Sequence, residues 1–222
     1  MQQYKIDFIK LLVEAEALKF GEFTYKSGRV GPYFFNAGSF YTGELLNQLG
    51  EAYAGAFVDA GFESQIVYGP AYKGIPLSVI TVSALQTKFD RNLSYSFDRK
   101  APKGHGMKDN FIGAPFDENS KLILVDDVVT AGTAVRETMV KLKENGGPQV
   151  EGLIISLDRM EKYKDGVSAI GALSEEFGMK VVPIITLDEV IEALYNKEVE
   201  GRVYIDDEMM GKIKEYRAEY GI

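Results

Sequence analysis

Apolar side chains return at helical spacing over roughly residues 3–18, where Ile6, Ile9, Leu12 and Val13 share a face and Asp7, Glu14 and Glu16 interrupt the run; this predicts an amphipathic surface helix. The period then changes. Phe20 to Tyr25 alternates, Ser27-Gly28-Arg29 reads as a turn, and Tyr33 to Asn36 alternates again, which predicts a β-hairpin with an aromatic second arm. A helix is predicted from about Thr42 to Asp59, closed by Gly61.

From there one theme repeats. Strands are predicted at Ile66–Gly69, Leu93–Phe97, Lys121–Val125, Gln149–Leu157 and Lys180–Ile185. Helices are predicted at 74–88, 133–145 (ended by Gly146-Gly147), near 167–177, near 187–196 and near 207–219. Strands alternating with helices predict an α/β fold with a central, mostly parallel sheet flanked by helices. The strand runs are uniformly apolar, as strands buried on both faces must be. One long stretch, about residues 99–120, is rich in Gly, Pro, Lys and Asp and is expected to be irregular.

Composition narrows the chemistry. The 222 residues hold no cysteine and one histidine, which excludes disulfides, thiolate metal sites, cysteine nucleophiles and multi-histidine zinc sites. A net charge of −8 argues against a nucleic-acid face or a polybasic membrane patch. Met1–Phe20 lacks the unbroken apolar stretch of a signal peptide, and no run reaches the length of a membrane span, so a cytoplasmic protein is expected.

Four places carry candidate chemistry. At Leu122–Ala134, an apolar strand delivers Asp126 and Asp127 to its C-terminal end, and a Gly/Thr turn then opens a helix. Ligands of open α/β sheets sit at that end, the turn and helix start favour a phosphate, and paired carboxylates suit sugar hydroxyls or hydrated Mg²⁺. Helix capping is the bland alternative. The Mg²⁺ strand of P-loop nucleotidases is set aside because no Gly-x-x-x-x-Gly-Lys-Ser/Thr precedes it. The second place, Arg99 to Lys108, packs basic residues and His105 between glycines in an acidic chain; it reads as a lid for a multiply charged anion or as a solvated loop. The third, Tyr68 to Gly74, is a strand end carrying Lys73, either a phosphate cradle or a structural turn. The fourth is Lys26-Ser-Gly-Arg29 with Phe34-Phe35, an aromatic pair that spacing alone favours as core.

The string Val125-Asp126-Asp127-Val128-Val129-Thr130-Ala131-Gly132-Thr133 resembles the motif by which type I phosphoribosyltransferases bind 5-phosphoribosyl 1-diphosphate (PRPP). With Phe23–Arg29, Pro32–Asn36, Gly69–Gly74, Arg99–His105 and Ile155–Arg159, the chain resembles the bacterial orotate phosphoribosyltransferases over essentially its whole length. The resemblance implies the type I fold as one domain over 1–222. An N-terminal helix and β-hairpin hood (about 1–40, with the C-terminal region) would cover it, and a flexible catalytic loop would span about 99–110. It implies transfer of phosphoribose from PRPP to orotate, giving orotidine 5′-monophosphate and pyrophosphate, with Mg²⁺ held through PRPP and water. It also implies a homodimer whose loop reaches the partner's site.

Carried over by residue, Asp126 and Asp127 would bind the ribose hydroxyls, and Val128, Val129, Thr130, Ala131, Gly132, Thr133 and Ala134 would cradle the 5′-phosphate. Tyr72, Lys73, Arg99, Lys100, Lys103 and His105 would surround the pyrophosphate, and Lys26 would sit near the reacting centre. Phe34, Phe35, Thr130 and Arg159 would hold orotate. Lys26, Lys103, His105, Asp126 and Asp127 are the implied catalytic set. The chain departs from the pattern at Tyr25, often leucine, at Asp98, often neutral, and over residues 106–110. A PRPP-sensing regulator, a purine phosphoribosyltransferase and a plain dimeric binding protein are the rival readings.

Overall fold

The computed structural model describes residues 1–25, 28–99, 110–163 and 166–222. Helix α1 (Gln3–Glu14) is followed by a hairpin of β1 (Leu18–Thr24) and β2 (Val30–Phe35), then α2 (Gly43–Asp59), β3 (Ile66–Tyr68), α3 (Gly74–Phe89), β4 (Ser94–Asp98) and β5 (Phe111–Gly113). The second half runs β6 (Lys121–Asp126), α4 (Thr133–Glu144), β7 (Gln149–Asp158), α5 (Ala169–Phe177), β8 (Lys180–Thr186), α6 (Leu187–Leu194), the short pair β9 (Glu198–Val199) and β10 (Arg202–Val203), and α7 (Asp207–Tyr220).

Six strands form the central sheet in the order β5-β4-β3-β6-β7-β8. All neighbours run parallel except β5, which lies antiparallel along β4. Side chains of β6 alternate between two cores, which explains its unbroken apolar sequence. Ile123 and Val125 join the layer built by α1, α2, α3, α6 and α7, whereas Leu122 and Leu124 join Val135 of α4 and Leu173 of α5 on the other face. The order reverses between β3 and β6, so a crevice opens at their C-terminal ends, where open α/β sheets hold ligands.

Two sequence expectations need correction, and one short strand pair went unpredicted. The first helix stops at Glu14, not near residue 18: Glu16 adopts φ +51°, and Leu18 pairs with Phe35 to begin the hairpin. The turn at Glu16 lets the apolar pattern run through a change of element. The stretch 99–120 is not wholly irregular, since Phe111–Gly113 adds an edge strand too short to leave a period. The pair β9/β10, two residues per strand, was likewise below the reach of patterning. No helix among the described residues is long and apolar enough to cross a membrane.

The hairpin leans on the C-terminal helix. Tyr216 of α7 meets Tyr25 and Tyr33 edge to face at centroid distances of 6.2 and 5.9 Å, and Arg29 lies over the Tyr220 ring at 4.8 Å. These contacts hang the aromatic arm β2 over the C-terminal end of the sheet.

Candidate active site

Two turns face each other across the crevice. The first joins β3 to α3. Gly69 N–H donates to Ser96 O at 3.0 Å and Gly74 N–H to Pro70 O at 2.9 Å. A Cβ on Gly69 would stand 1.9 Å from the Gly74 carbonyl oxygen, so the turn closes only because neither base residue has a side chain. Tyr72 and Lys73 project outward, Tyr72 being 67% exposed. Gly69→Ala is expected to lower the melting temperature by roughly 3–10 °C, the cost of forcing backbone apart in a packed turn; a thermal melt followed by circular dichroism checks it.

The second turn joins β6 to α4. Gly132 is the N-cap at φ +73°, a conformation glycine adopts without penalty. No side chain caps α4, nor α3, whereas Thr42, Ser168, Thr186 and Asp206 cap α2, α5, α6 and α7. At α3 the first N–H groups are already taken, Gly74 donating to Pro70 O and Ile75 to Tyr72 O, with Pro76 next; α4 is the crevice helix whose start is left for another acceptor. The loop is braced from behind: Arg136 donates to Ala131 O at 2.6 Å and also to Glu176 at 2.7 Å.

Lys73 Nζ reaches Asp127 Oδ2 at 2.5 Å and so links the two turns. Asp127 is buried and Lys73 is exposed. Asp126 O accepts from the Tyr53 hydroxyl at 2.7 Å, and Ser156 N–H donates to Asp127 O at 2.9 Å, so the backbone carrying both acids is fixed. Burial, and secondarily the adjacent Asp127, pushes the Asp126 carboxyl up to about 7. Lys73 pairs with one acid of the two, and burial favours the protonated form of the other.

Beside the loop lies a cavity of about 840 Å³. Phe34, Phe35 and Tyr25 form its aromatic wall, Val128 to Ala131 of the β6–α4 loop its edge, and Arg159 and Lys73 bring cations to it. Phe34 is 41% exposed and stacks on Phe23 at 5.6 Å, whereas Phe35 packs against the main core, so the pair that spacing favoured as core is divided between core and cavity wall. Arg159 extends from the end of β7, with its guanidinium 6.0 Å from the Tyr25 ring centre. Glu161 Oε2 stands 3.5 Å from Arg159 and 4.0 Å from Arg29, while Oε1 accepts from the Tyr33 and Tyr216 hydroxyls, each at 3.1 Å. One carboxylate therefore joins the hairpin, α7 and the cavity's arginine. Tyr25 donates its hydroxyl to Tyr33 O, and burial pushes its phenol up to about 12, so it is neutral at physiological pH.

Residues 39–183 match the family described as the phosphoribosyl transferase domain. An orotate phosphoribosyltransferase of Clostridium acetobutylicum is 48% identical over 223 residues, covering 100% of both chains, and one of Saccharophagus degradans is 45% identical over 222 residues. The chain belongs to the orotate phosphoribosyltransferase family. The crystal structure of the Francisella tularensis orotate phosphoribosyltransferase superposes with a TM-score of 0.83 at 39% identity, covering 97% of this chain and 99% of that one.

Against that family's implied site, the structure gathers Phe34, Phe35, Lys73, Val128, Val129, Thr130, Ala131 and Arg159 around one cavity. Asp126 and Asp127 stand behind Lys73, and Gly132, Thr133 and Ala134 form the start of α4. Tyr72 and Arg99 are exposed at the ends of the neighbouring turn and strand and do not line the cavity. Lys26, Lys100, Lys103 and His105 lie outside the described residues. Sequence reasoning missed Glu161, Tyr33 and Tyr53. Glu161 left a signal, a third charge in Asp158-Arg159-Met160-Glu161 directly after an apolar strand; the tyrosines left none, because their partners come from distant segments.

Proposed function

We propose that this chain transfers the 5-phosphoribosyl group from PRPP to orotate in de novo pyrimidine synthesis, releasing pyrophosphate. The observation that carries the reading is the meeting, at the β3/β6 reversal, of an uncapped phosphate turn, a carboxylate pair and an aromatic cavity ending in Arg159. The loop from Val128 to Ala134 takes the 5′-phosphate, and Asp126 and Asp127 accept from the ribose hydroxyls. Lys73 leaves Asp127 for the diphosphate, with Tyr72 and Arg99 beside it. Orotate lies on Phe34 and Phe35 with its carboxylate on Arg159.

In the reaction the bond from ribose C1 to the diphosphate oxygen breaks, a ring nitrogen of orotate bonds to C1, and the nitrogen's proton is lost. Positive charge grows on the ribose as negative charge grows on the leaving group. The carboxylates face the first and the cations the second. Among the described residues no group of three or more carboxylates or histidines could enclose a metal. Mg²⁺ carried on a diphosphate needs only one or two protein carboxylates, and Asp126 and Asp127 fit that requirement. When bound it supplies charge neutralisation on the diphosphate.

We read residues 1–222 as one catalytic unit, with α1, the hairpin and the C-terminal helix as its hood. Lys100, Lys103 and His105 complete the charge around the diphosphate, Lys26 acts near the reacting centre, and the unit is a homodimer that shares the 99–110 loop. Loss of orotate absorbance that requires both PRPP and Mg²⁺ tests the reaction; an unchanged spectrum in protein that still binds PRPP overturns the choice of base. Lys103→Ala is expected to lower kcat by tenfold or more, about the worth of one charge donor to a leaving group. If the loop is shared, mixing and refolding Lys103→Ala with Asp126→Asn subunits regains activity that neither variant shows alone.

A further inference from the structure

Asp98 is a departure from the resembled pattern that the proposed reaction leaves unexplained. It closes β4, is only 5% exposed, and places a negative charge directly behind the turn assigned to a diphosphate. Its two oxygens have separate tasks. Oδ1 accepts the Ala71 N–H at 2.9 Å, inside that turn. Oδ2 accepts Lys141 Nζ at 2.7 Å, and Lys141 belongs to α4, the helix that opens at the 5′-phosphate loop.

We infer that Asp98 is a positioning residue for PRPP: it ties the turn that holds the diphosphate to the helix whose start holds the 5′-phosphate, with Lys141 as its counter-ion. The inference rests on the reading above. Gly69 and Gly74 fix the base of the turn, but Tyr72 and Lys73 lie beyond Ala71. The Asp98–Ala71 bond holds the turn's outer half to the end of β4, as the Lys73–Asp127 pair holds it to the end of β6. A buried carboxylate this near a diphosphate would repel it; pairing with Lys141 removes that penalty and leaves the anchor. Asp98 thereby adds, to the β3–β6 pairing and the Lys73–Asp127 link, a tie between the elements that hold the two ends of one ligand.

Four variants separate this role from general stability. Lys141→Met leaves the buried charge uncompensated and is expected to raise KM for PRPP about tenfold, with KM for orotate within about twofold. Adding Asp98→Asn, which removes that charge and keeps an acceptor for Ala71, is expected to bring KM for PRPP back to within about threefold of the parent. Asp98→Ala, which removes the acceptor itself, raises KM for PRPP about tenfold, and adding Lys141→Met does not restore it.

Unchanged KM for PRPP in both Lys141→Met and Asp98→Ala overturns the proposal. So does an equal rise in both substrates' KM together with a lost melting transition, or failure of Asp98→Asn to rescue Lys141→Met. Calorimetric titration of the same variants with Mg²⁺–PRPP reads the effect without orotate. If the parent protein binds PRPP but consumes no orotate, the proposed reaction fails while the variant series still decides the role of Asp98.

Discussion

Arg159→Ala is expected to lower kcat/KM for orotate about 100-fold while KM for PRPP stays within about twofold, the scale of a desolvated charge pair broken on one side. Arg159 is 22% exposed on its side chain and projects from the end of β7 beside an aromatic wall, where an unpaired substrate carboxylate would lose water and gain nothing. Glu161, at 3.5 Å, orients the guanidinium through Oε2 alone, so the fork keeps donors for the substrate. Without Arg159, Glu161 would itself repel orotate. Arg159→Lys should recover only part of the loss, since an ammonium cannot reproduce two parallel bonds. Steady-state kinetics with orotate, and with a pyrimidine base lacking the carboxylate, make the test specific: the preference for orotate should collapse in Arg159→Ala. A variant that loses activity equally on both bases would show that Arg159 supports the fold and does not read the carboxylate.

How far this site was legible in the sequence follows from which interactions are local. Asp126 to Ala134 was readable because strand, acids, glycine turn and helix start are contiguous, and contiguity fixes their relative placement. The Gly69–Gly74 turn was readable as a strand end, but the reason for its two glycines, backbone contact across the turn, needed coordinates. Phe34 shows the opposite failure, while its neighbour Phe35 does pack against the core. Period and hydrophobicity cannot separate an aromatic core from an aromatic platform, because the outcome depends on what lies opposite. Here that is a cavity and not a helix. Asp98 and Glu161 could be seen as charges, but their partners Lys141, Tyr33 and Tyr216 lie on other elements. The strand and helix order was recovered almost throughout, since the parallel sheet buries both faces. The miss at Glu16 arose where a single positive φ ends a helix without ending its apolar pattern.

The second large effect concerns Asp126, whose carboxyl sits at about 7 in the free protein because it is buried beside Asp127. In the unfolded chain the same group has a value of about 3.9. Between about pH 4 and 7 the folded state therefore binds more protons than the unfolded one, so this group's contribution to stability falls as pH rises through that window and is flat above it. Asp126→Asn removes the dependence. Its advantage in melting temperature over the parent is expected to grow from pH 4 to 7 and to level off above. Catalysis should move the other way, with kcat falling by roughly 100-fold, because ribose hydroxyls donate to a carboxylate and the developing cation needs its charge. Those hydroxyls favour the ionised form, so PRPP binding near pH 6.5 should expel a proton from Asp126. The 5′-phosphate titrates in the same range, and the informative quantity is the difference between parent and variant. Titration calorimetry in two buffers of different ionisation enthalpy should show more proton release by the parent than by Asp126→Asn at pH 6.5, and equal release at pH 8.5. Equal release at both values would mean that Asp126 does not change protonation when the ribose arrives, and its role as the acceptor of ribose hydroxyls would then pass to Asp127 alone.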